Sequence, residues 1–267
     1  MIEVLKQRIN SFNTHEEKYA ELREYLQLLI LRILEIKGYY KNLAFVGGTS
    51  LRILFGLNRF SEDLDFSLIN PEGYDFKSIL DHVKSILKGY GFDVVVTKKE
   101  ANTVHNSFIK FSNILFELGL SSQQTQVLSV KLEIDTNPPT GYELLFTPIN
   151  KQFLLNIRHY DLSSLFAGKL HAILCRKYEK GRDLYDLVWF IANKIKPNYD
   201  LLDQAFYQTE DKRISFDKHV LIKKLSDKLS GLNVTVLRSD VSPFLKDKTE
   251  LRFIEKDALQ TIINNIL

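Results

Sequence analysis

The chain has 267 residues, 45% of them hydrophobic and 26% charged, with 12 Gly and 6 Pro; this excludes collagen, wholesale disorder and low-complexity sequence and suits two small domains of roughly 100–150 residues each. Its 36 basic and 33 acidic residues leave a net charge of +3, and residues 1–160 balance at 18 of each, so the whole excess lies in 161–267; that permits a nucleic-acid partner without arguing for one. Cys175 is the one cysteine, which excludes an intramolecular disulfide framework and any multi-cysteine zinc module and fits a reducing compartment.

Taken in chain order, residues 15–37 predict a long helix, because Leu22, Tyr25, Leu26, Leu29, Ile30, Ile33 and Leu34 recur at three- and four-residue steps. Within it, Tyr25–Ile36 is the greasiest stretch, but Gln27, Arg32 and Glu35 interrupt it, and a bilayer needs about 20 apolar residues. The first ten residues hold no apolar signal region, so a soluble cytoplasmic protein without a membrane partner is expected. LAFV then reads as a strand, Gly47-Gly48 as a turn, and LRILF as a short helix. Phe60–Leu68 alternates apolar and polar residues and predicts a strand, and residues 75–89 a helix. Phe92–Thr97, Phe108–Phe116 and Val127–Ile134 predict three more strands, and NPPTG at 137–141 punctuates the chain. From Asp161 the pattern is helical to Leu267. The expected fold class is α+β, a mixed sheet with flanking helices followed by a helical bundle, with domains 1–160 and 161–267.

The residues capable of chemistry cluster at 46–66. Two glycines between a strand and a helix allow positive φ and let backbone N–H groups meet an anion. The helix start adds partial positive charge, and Thr49 and Ser50 add hydroxyls; the Walker pattern is missing. Asp63 and Asp65, two apart on a strand, share a face, with apolar Leu64 and Phe66 on the other. Paired carboxylates beside a phosphate-binding turn suit Mg²⁺ (or Mn²⁺), a hard ion that shares its ligands with phosphate. A third acid is offered by Lys131-Leu132-Glu133-Ile134-Asp135, in which Lys131, Glu133 and Asp135 share one face; either Glu133 or Asp135 completes the set. Blander readings go to His171, His82, His105 and His159, which lack ligand spacing, to Cys175, Trp189 and Phe190, expected in the core, and to Tyr39 and Tyr40, expected to pack.

In order, GGTSLR, RFSEDLDF, KLEID, AGKLHAILCR and RDLYDL resemble the AbiEii/AbiGii-type toxin nucleotidyltransferases, similar in fold to the DNA polymerase β superfamily. The resemblance covers roughly residues 43–190. It implies that Gly47, Gly48 and Ser50, with Thr49 beside them, cradle a nucleoside triphosphate and that Arg59 and Ser61 sit at the lip of the site. Asp63, Asp65 and Glu133 (or Asp135) become the metal ligands, with Lys131 ahead of Glu133. Lys169 becomes a phosphate contact, and Arg176 lies two turns on along the same face. Arg182, Asp183 and Asp186 match a closing R-D-x-x-D, in which either aspartate positions Lys169 or the substrate; one of the two is also expected to cap its helix.

The function implied is transfer of a nucleoside monophosphate from an NTP to an acceptor hydroxyl, a tRNA 3′ end, by a toxin with a cognate antitoxin. Lys212, Arg213, Lys218, Lys223, Lys224 and Lys228 are the candidate contacts to an RNA backbone. The competing readings are a non-catalytic nucleotide-binding module, and nucleotidylation of a protein or small molecule on the same fold.

Overall fold

A computed structural model describes residues 2–101 and 103–266. Its helices and strands follow the chain as α1 (Ile2–Ile9), α2 (His15–Ile36), β1 (Leu43–Val46), α3 (Gly47–Phe55), β2 (Leu64–Leu68), α4 (Phe76–Gly89), β3 (Val94–Val96), β4 (Lys99–Ala101), β5 (Val104–Phe111), α5 (Ile114–Glu117), β6 (Leu128–Asp135), β7 (Leu144–Asn150) and β8 (Leu154–Tyr160). Six helices complete it: α6 (Leu162–Cys175), α7 (Gly181–Ala192), α8 (Tyr199–Glu210), α9 (Lys218–Ser230), α10 (Val234–Val241) and α11 (Lys256–Asn264). The architecture is α+β, and among the described residues no helix is long and apolar enough to cross a membrane.

The chain divides into two compact units: Met1–Ser50, Ser61–Pro138 and Phe146–His159 in the first, and Leu51–Phe60, Pro139–Leu145 and Tyr160–Leu267 in the second. The division is therefore not one cut near residue 160: two earlier stretches belong with the C-terminal helices. Arg59, in one of those stretches, is 2% exposed and bonded to Asp186 of α7, so it is anchored among the helices.

The eight-stranded sheet runs β3-β5-β6-β2-β1-β8-β7, with β4 pairing β5. β1 is antiparallel to β2 and parallel to β8, and β2 is parallel to β6. β6 buries Leu128, Val130, Leu132 and Ile134 completely and turns Lys131, Glu133 and Asp135 the other way, the alternation that a half-buried strand imposes. α2 opens on a capping box, with Thr14 accepting from the Glu17 amide and the Glu17 side chain reaching back. It is buried nearly all round between Glu21 and Leu34, and among the buried residues are Glu21, Glu24 and Gln27. Arg8 lies 3.3 Å from Glu21 and Lys151 3.7 Å from Glu24.

Several boundaries differ from the sequence expectation. The strand at 60–68 begins only at Leu64, so Asp63 immediately precedes it. The strand expected at 108–116 lies at Val104–Phe111 and is followed by the short α5; Asn113, at φ 59, turns the chain there. β4, β7 and β8 were not expected. For β8 the signal was present: Leu155, Ile157 and His159 alternate as buried residues with less buried ones, a period of two. For β7 it was not: Leu145 and Phe146 are half exposed, and Pro148 interrupts the run.

Candidate active site

In the first unit the site is built from the ends of β1, β2 and β6. Gly47 has φ +79°, and a Cβ there would lie 2.3 Å from Asp65 Oδ2. Any side chain at this position strains the backbone and collides with the carboxylate, so the glycine places bare backbone directly against Asp65. Val46 and Asp65 are partners in the β1–β2 ladder, which fixes this approach.

The hydroxyls of the turn are used inside the fold. Thr49 and Ser50 are fully buried. Thr49 Oγ1 lies 2.8 Å from Ser61 Oγ and also bonds the Asp63 carbonyl, and Ser50 Oγ donates to the Gly47 carbonyl at 2.8 Å. The open hydroxyl cradle expected of Thr49 and Ser50 is thus a brace: it ties the α3 start to the 61–63 segment. Gln27, which the sequence reading missed, continues the brace from α2, donating from Nε2 to the Ser61 carbonyl at 3.2 Å. A lone amide in an apolar helical stretch was the available signal.

Asp65 and Glu133 are direct partners across the parallel β2–β6 pair, while Asp135 stands opposite Ser67. Of the two candidate third acids, Glu133 is therefore beside Asp65. Asp135 accepts the Asn137 amide at 2.9 Å, and its carboxyl is pushed above the ordinary range by burial, reinforced by Glu133. Lys131 forms an ion pair with Glu133. Burial opposes its charge, but Glu133 first, then Asp63 and Asp65, outweigh it and hold the ammonium pKa above its usual value. The Lys131 ammonium thus pairs with Glu133 and feels the charge of Asp63 and Asp65. Among the described residues no three His, Cys, Asp or Glu side chains form a ready metal cage. The donors are all carboxylate oxygens against open backbone, which fits a hard divalent ion taking one or two carboxylates and completing its shell with phosphate oxygens.

The second unit holds a separate charged cluster. Arg59 Nε and Nη2 donate to the two oxygens of Asp186 at 2.6 and 2.7 Å, and the pair is buried, with side chains 2% and 0% exposed. Arg59 is therefore not at a lip. Its guanidinium keeps its proton because Asp186 outweighs the burial that opposes charge. Lys169 of α6 places Nζ 2.8 Å from Asp186 and 3.0 Å from Asp183, and Arg176, just past the end of α6, also pairs with Asp183. Burial works against both charges, yet the Lys169 pKa is raised by Asp183 and Asp186, and the Asp183 pKa is lowered by Lys169 and Arg176. The result is an alternating Arg59–Asp186–Lys169–Asp183–Arg176 chain. Asp183 lies in the first turn of α7, where its charge suits the helix dipole, but neither aspartate caps the helix by a hydrogen bond, because both carboxylates are taken. Asp240 of α10 does it instead, accepting the Gly181 amide at 2.8 Å. Gly181 is required there, since a Cβ would lie 2.0 Å from the Leu237 carbonyl.

The remaining side chains fall as follows. Arg182 lies over the Phe244 ring at 4.2 Å. His171, His82 and His105 each meet a hydroxyl, of Thr209, Tyr39 and Tyr74, and buried His159 meets Thr147. Tyr40 and Phe190 are buried as expected, whereas Trp189 and Cys175 are only half-buried. The Cys175 thiol is nonetheless pushed up to about 11 by burial, with Glu210 adding to it.

Comparison with known proteins gives the family and the fold. The profile of the family described as the nucleotidyl transferase AbiEii toxin of type IV toxin–antitoxin systems matches residues 29–263. No curated protein matches. Two solved structures from Helicobacter pylori share the fold: JHP933, at 20% identity and a TM-score of 0.56 over 92% of this chain and 91% of its own, and a candidate nucleotidyltransferase, at 19% identity and 0.53 over 92% of each.

Proposed function

Because the chain belongs to the AbiEii family of nucleotidyl transferase toxins, we propose that it moves a nucleoside monophosphate from an NTP to an acceptor hydroxyl and releases pyrophosphate. The observation that carries this reading is the bare backbone of Gly47 against Asp65, with Glu133 in register beside it. Bare backbone at a helix start beside a carboxylate pair suits a metal-bound polyphosphate, which needs both N–H donors and metal ligands.

In this reading Asp63 and Asp65 hold Mg²⁺ or Mn²⁺, and Glu133 is the third acid. A divalent ion held by these carboxylates would supply charge neutralisation for the leaving pyrophosphate and a lower pKa for the attacking hydroxyl. Gly47 and Gly48 admit the triphosphate to the positive end of α3. Glu133 orients the attacking hydroxyl and receives its proton. Catalysis is then positioning and charge neutralisation. The first task of Lys169 is to neutralise Asp183 and Asp186; Arg59, Arg176 and those aspartates act through it as positioning residues. Arg182 stands beside them in the first turn of α7, over the Phe244 ring.

The acceptor in this reading is RNA, a tRNA 3′ end, and a cognate antitoxin restrains the activity. Lys212, Arg213, Lys218 and Lys223 are exposed and are the phosphate contacts we assign. Lys224 is half-buried over the Phe206 ring, and Lys228 is half-buried 3.4 Å from Glu179, so both contribute less than the exposed four. The test is incubation with each α-³²P-labelled NTP, Mg²⁺ and total cellular RNA, beside Asp63→Ala/Asp65→Ala. Label in a tRNA-sized band, lost in the variant, is the expected result. Label in protein or a small molecule would move the acceptor assignment, and no label with retained nucleotide binding would favour a binding module.

A further inference from the structure

Lys131 has no obvious reason to stand where it does. It shares a face of β6 with Glu133, two residues before the acid that pairs in register with Asp65. Its Nζ bonds the Glu133 carboxylate, and it is electrostatically coupled to Asp63 and Asp65. Asp65 and Glu133 are register partners, Asp63 lies two residues before Asp65, and the ammonium bonded to Glu133 feels the charge of all three carboxylates. The side chains of Lys131 and Glu133 are 29% and 32% exposed, so the pair is open to exchange with solutes rather than locked in the core.

Resting on the nucleotidyltransferase reading above, we propose that Lys131 is an internal counter-ion that competes with free divalent metal for the carboxylates and is drawn off Glu133 by the triphosphate. Two charges of the same sign exclude one another from a shared set of carboxylates, so metal arriving without nucleotide meets Lys131. Metal arriving with nucleotide brings phosphate oxygens, and these offer the ammonium a second anion. A lysine suits this exchange better than an arginine, because its ammonium is a compact point charge on a flexible stem and is not committed to a bidentate carboxylate geometry. The release frees Glu133 in the same step that delivers the substrate, so the acid becomes available only when there is a nucleotide to use it. It also distinguishes Lys131 from Lys169, which is held by two carboxylates in a nearly closed setting.

The experiment is Mn²⁺ binding followed by the loss of the free-ion electron paramagnetic resonance signal, with and without the α,β-methylene analogues of the four NTPs. The proteins are the unaltered chain, Lys131→Met, Lys131→Gln, Lys131→Arg and Asp63→Ala/Asp65→Ala. Removing one positive charge a few ångströms from a divalent ion at a half-exposed site should tighten nucleotide-free Mn²⁺ binding about tenfold or more in both neutral variants. Lys131→Arg should bind free Mn²⁺ as weakly as the unaltered chain. With the analogue bound, the metal affinities should converge, while the neutral variants bind the analogue itself more weakly. Two folded neutral variants with unchanged nucleotide-free Mn²⁺ affinity would overturn the counter-ion role. If the double aspartate variant kept full Mn²⁺-analogue binding, the site assignment itself would fail, and that outcome is separate from the first.

Discussion

Replacing Gly47 by alanine tests the link between the glycine turn and the carboxylates most directly. At φ +79° an L-residue loses roughly 1–2 kcal/mol of backbone energy relative to glycine. The added Cβ would also lie 2.3 Å from Asp65 Oδ2 and 3.0 Å from its Cβ and Cγ, where ordinary contact begins at 3.4 Å. Moving the carboxylate oxygen from 2.3 Å out to 3.4 Å takes about 1 Å, so the Asp65 carboxylate is displaced by that much, while its Cβ and Cγ need only a few tenths of an ångström from β2 or the start of α3. A displacement of that size in a catalytic group can reduce turnover about 100-fold, equivalent to about 2.7 kcal/mol of transition-state stabilisation. Gly56→Ala is the control, since Gly56 has φ +75° with nothing within 4 Å: it carries the strain without the collision. Thermal melting and NTP label transfer on the two variants separate the effects. Both should melt lower by at least a few degrees, Gly47→Ala by the larger margin because of the added collision, while only Gly47→Ala loses about two orders of magnitude in transfer. If Gly47→Ala melts lower but transfers label within threefold of the unaltered chain, the placement of Asp65 against this turn has no role in the reaction.

Three further outcomes follow from the charged cluster and the thiol. Arg59→Met leaves the fully buried Asp186 with Lys169 alone and should lower unfolding free energy by about 3–5 kcal/mol; urea denaturation that changes by under 1 kcal/mol would contradict a buried ion pair. Asp183 has a lowered carboxyl pKa in the folded protein, held down by Lys169 and Arg176 against burial. Its contribution to stability is therefore full above the ordinary value of 3.8 and is lost as pH falls through the lower folded value; Asp183→Asn should flatten this acid limb of the stability curve, and an unchanged limb would count against the assignment. Cys175, with its pKa raised from 9.0 to about 11, should react with a disulfide reagent at pH 8 about 100-fold more slowly than an ordinary thiol. A rate equal to that of a free thiol would show that the burial is absent in solution.

How far the sequence reached differs between the two charged sites. The Lys131–Glu133 face and the placement of Asp65 were legible because a strand projects alternate residues to one side, and apolar Leu64, Phe66, Leu132 and Ile134 mark the buried one; for Asp63, which precedes β2, that argument does not apply. That periodicity also located α2, α4 and β6. It could not say where β2 begins, because Phe60 and Leu64 fit the alternation equally well, whereas only from Leu64 does the chain pair with β1 and β6. Nor could it choose between Glu133 and Asp135, which are equivalent on their own strand and distinguished only by what lies across from them.

The sequence by itself determined the α+β class and the order of the chemistry-bearing motifs, because these rest on local period and residue type, and the resemblance of those motifs pointed to the family that the profile matches. The tertiary structure decided which charges are used by other charges. Arg59 looks like a substrate-facing arginine along the chain, and only a carboxylate 127 residues away makes its complete burial tolerable. Thr49 and Ser50 look like ligand hydroxyls until their partners at Ser61, Asp63 and Gly47 are known. Desolvation and hydrogen-bond satisfaction depend on distant parts of the chain arriving together, and no local pattern carries that information.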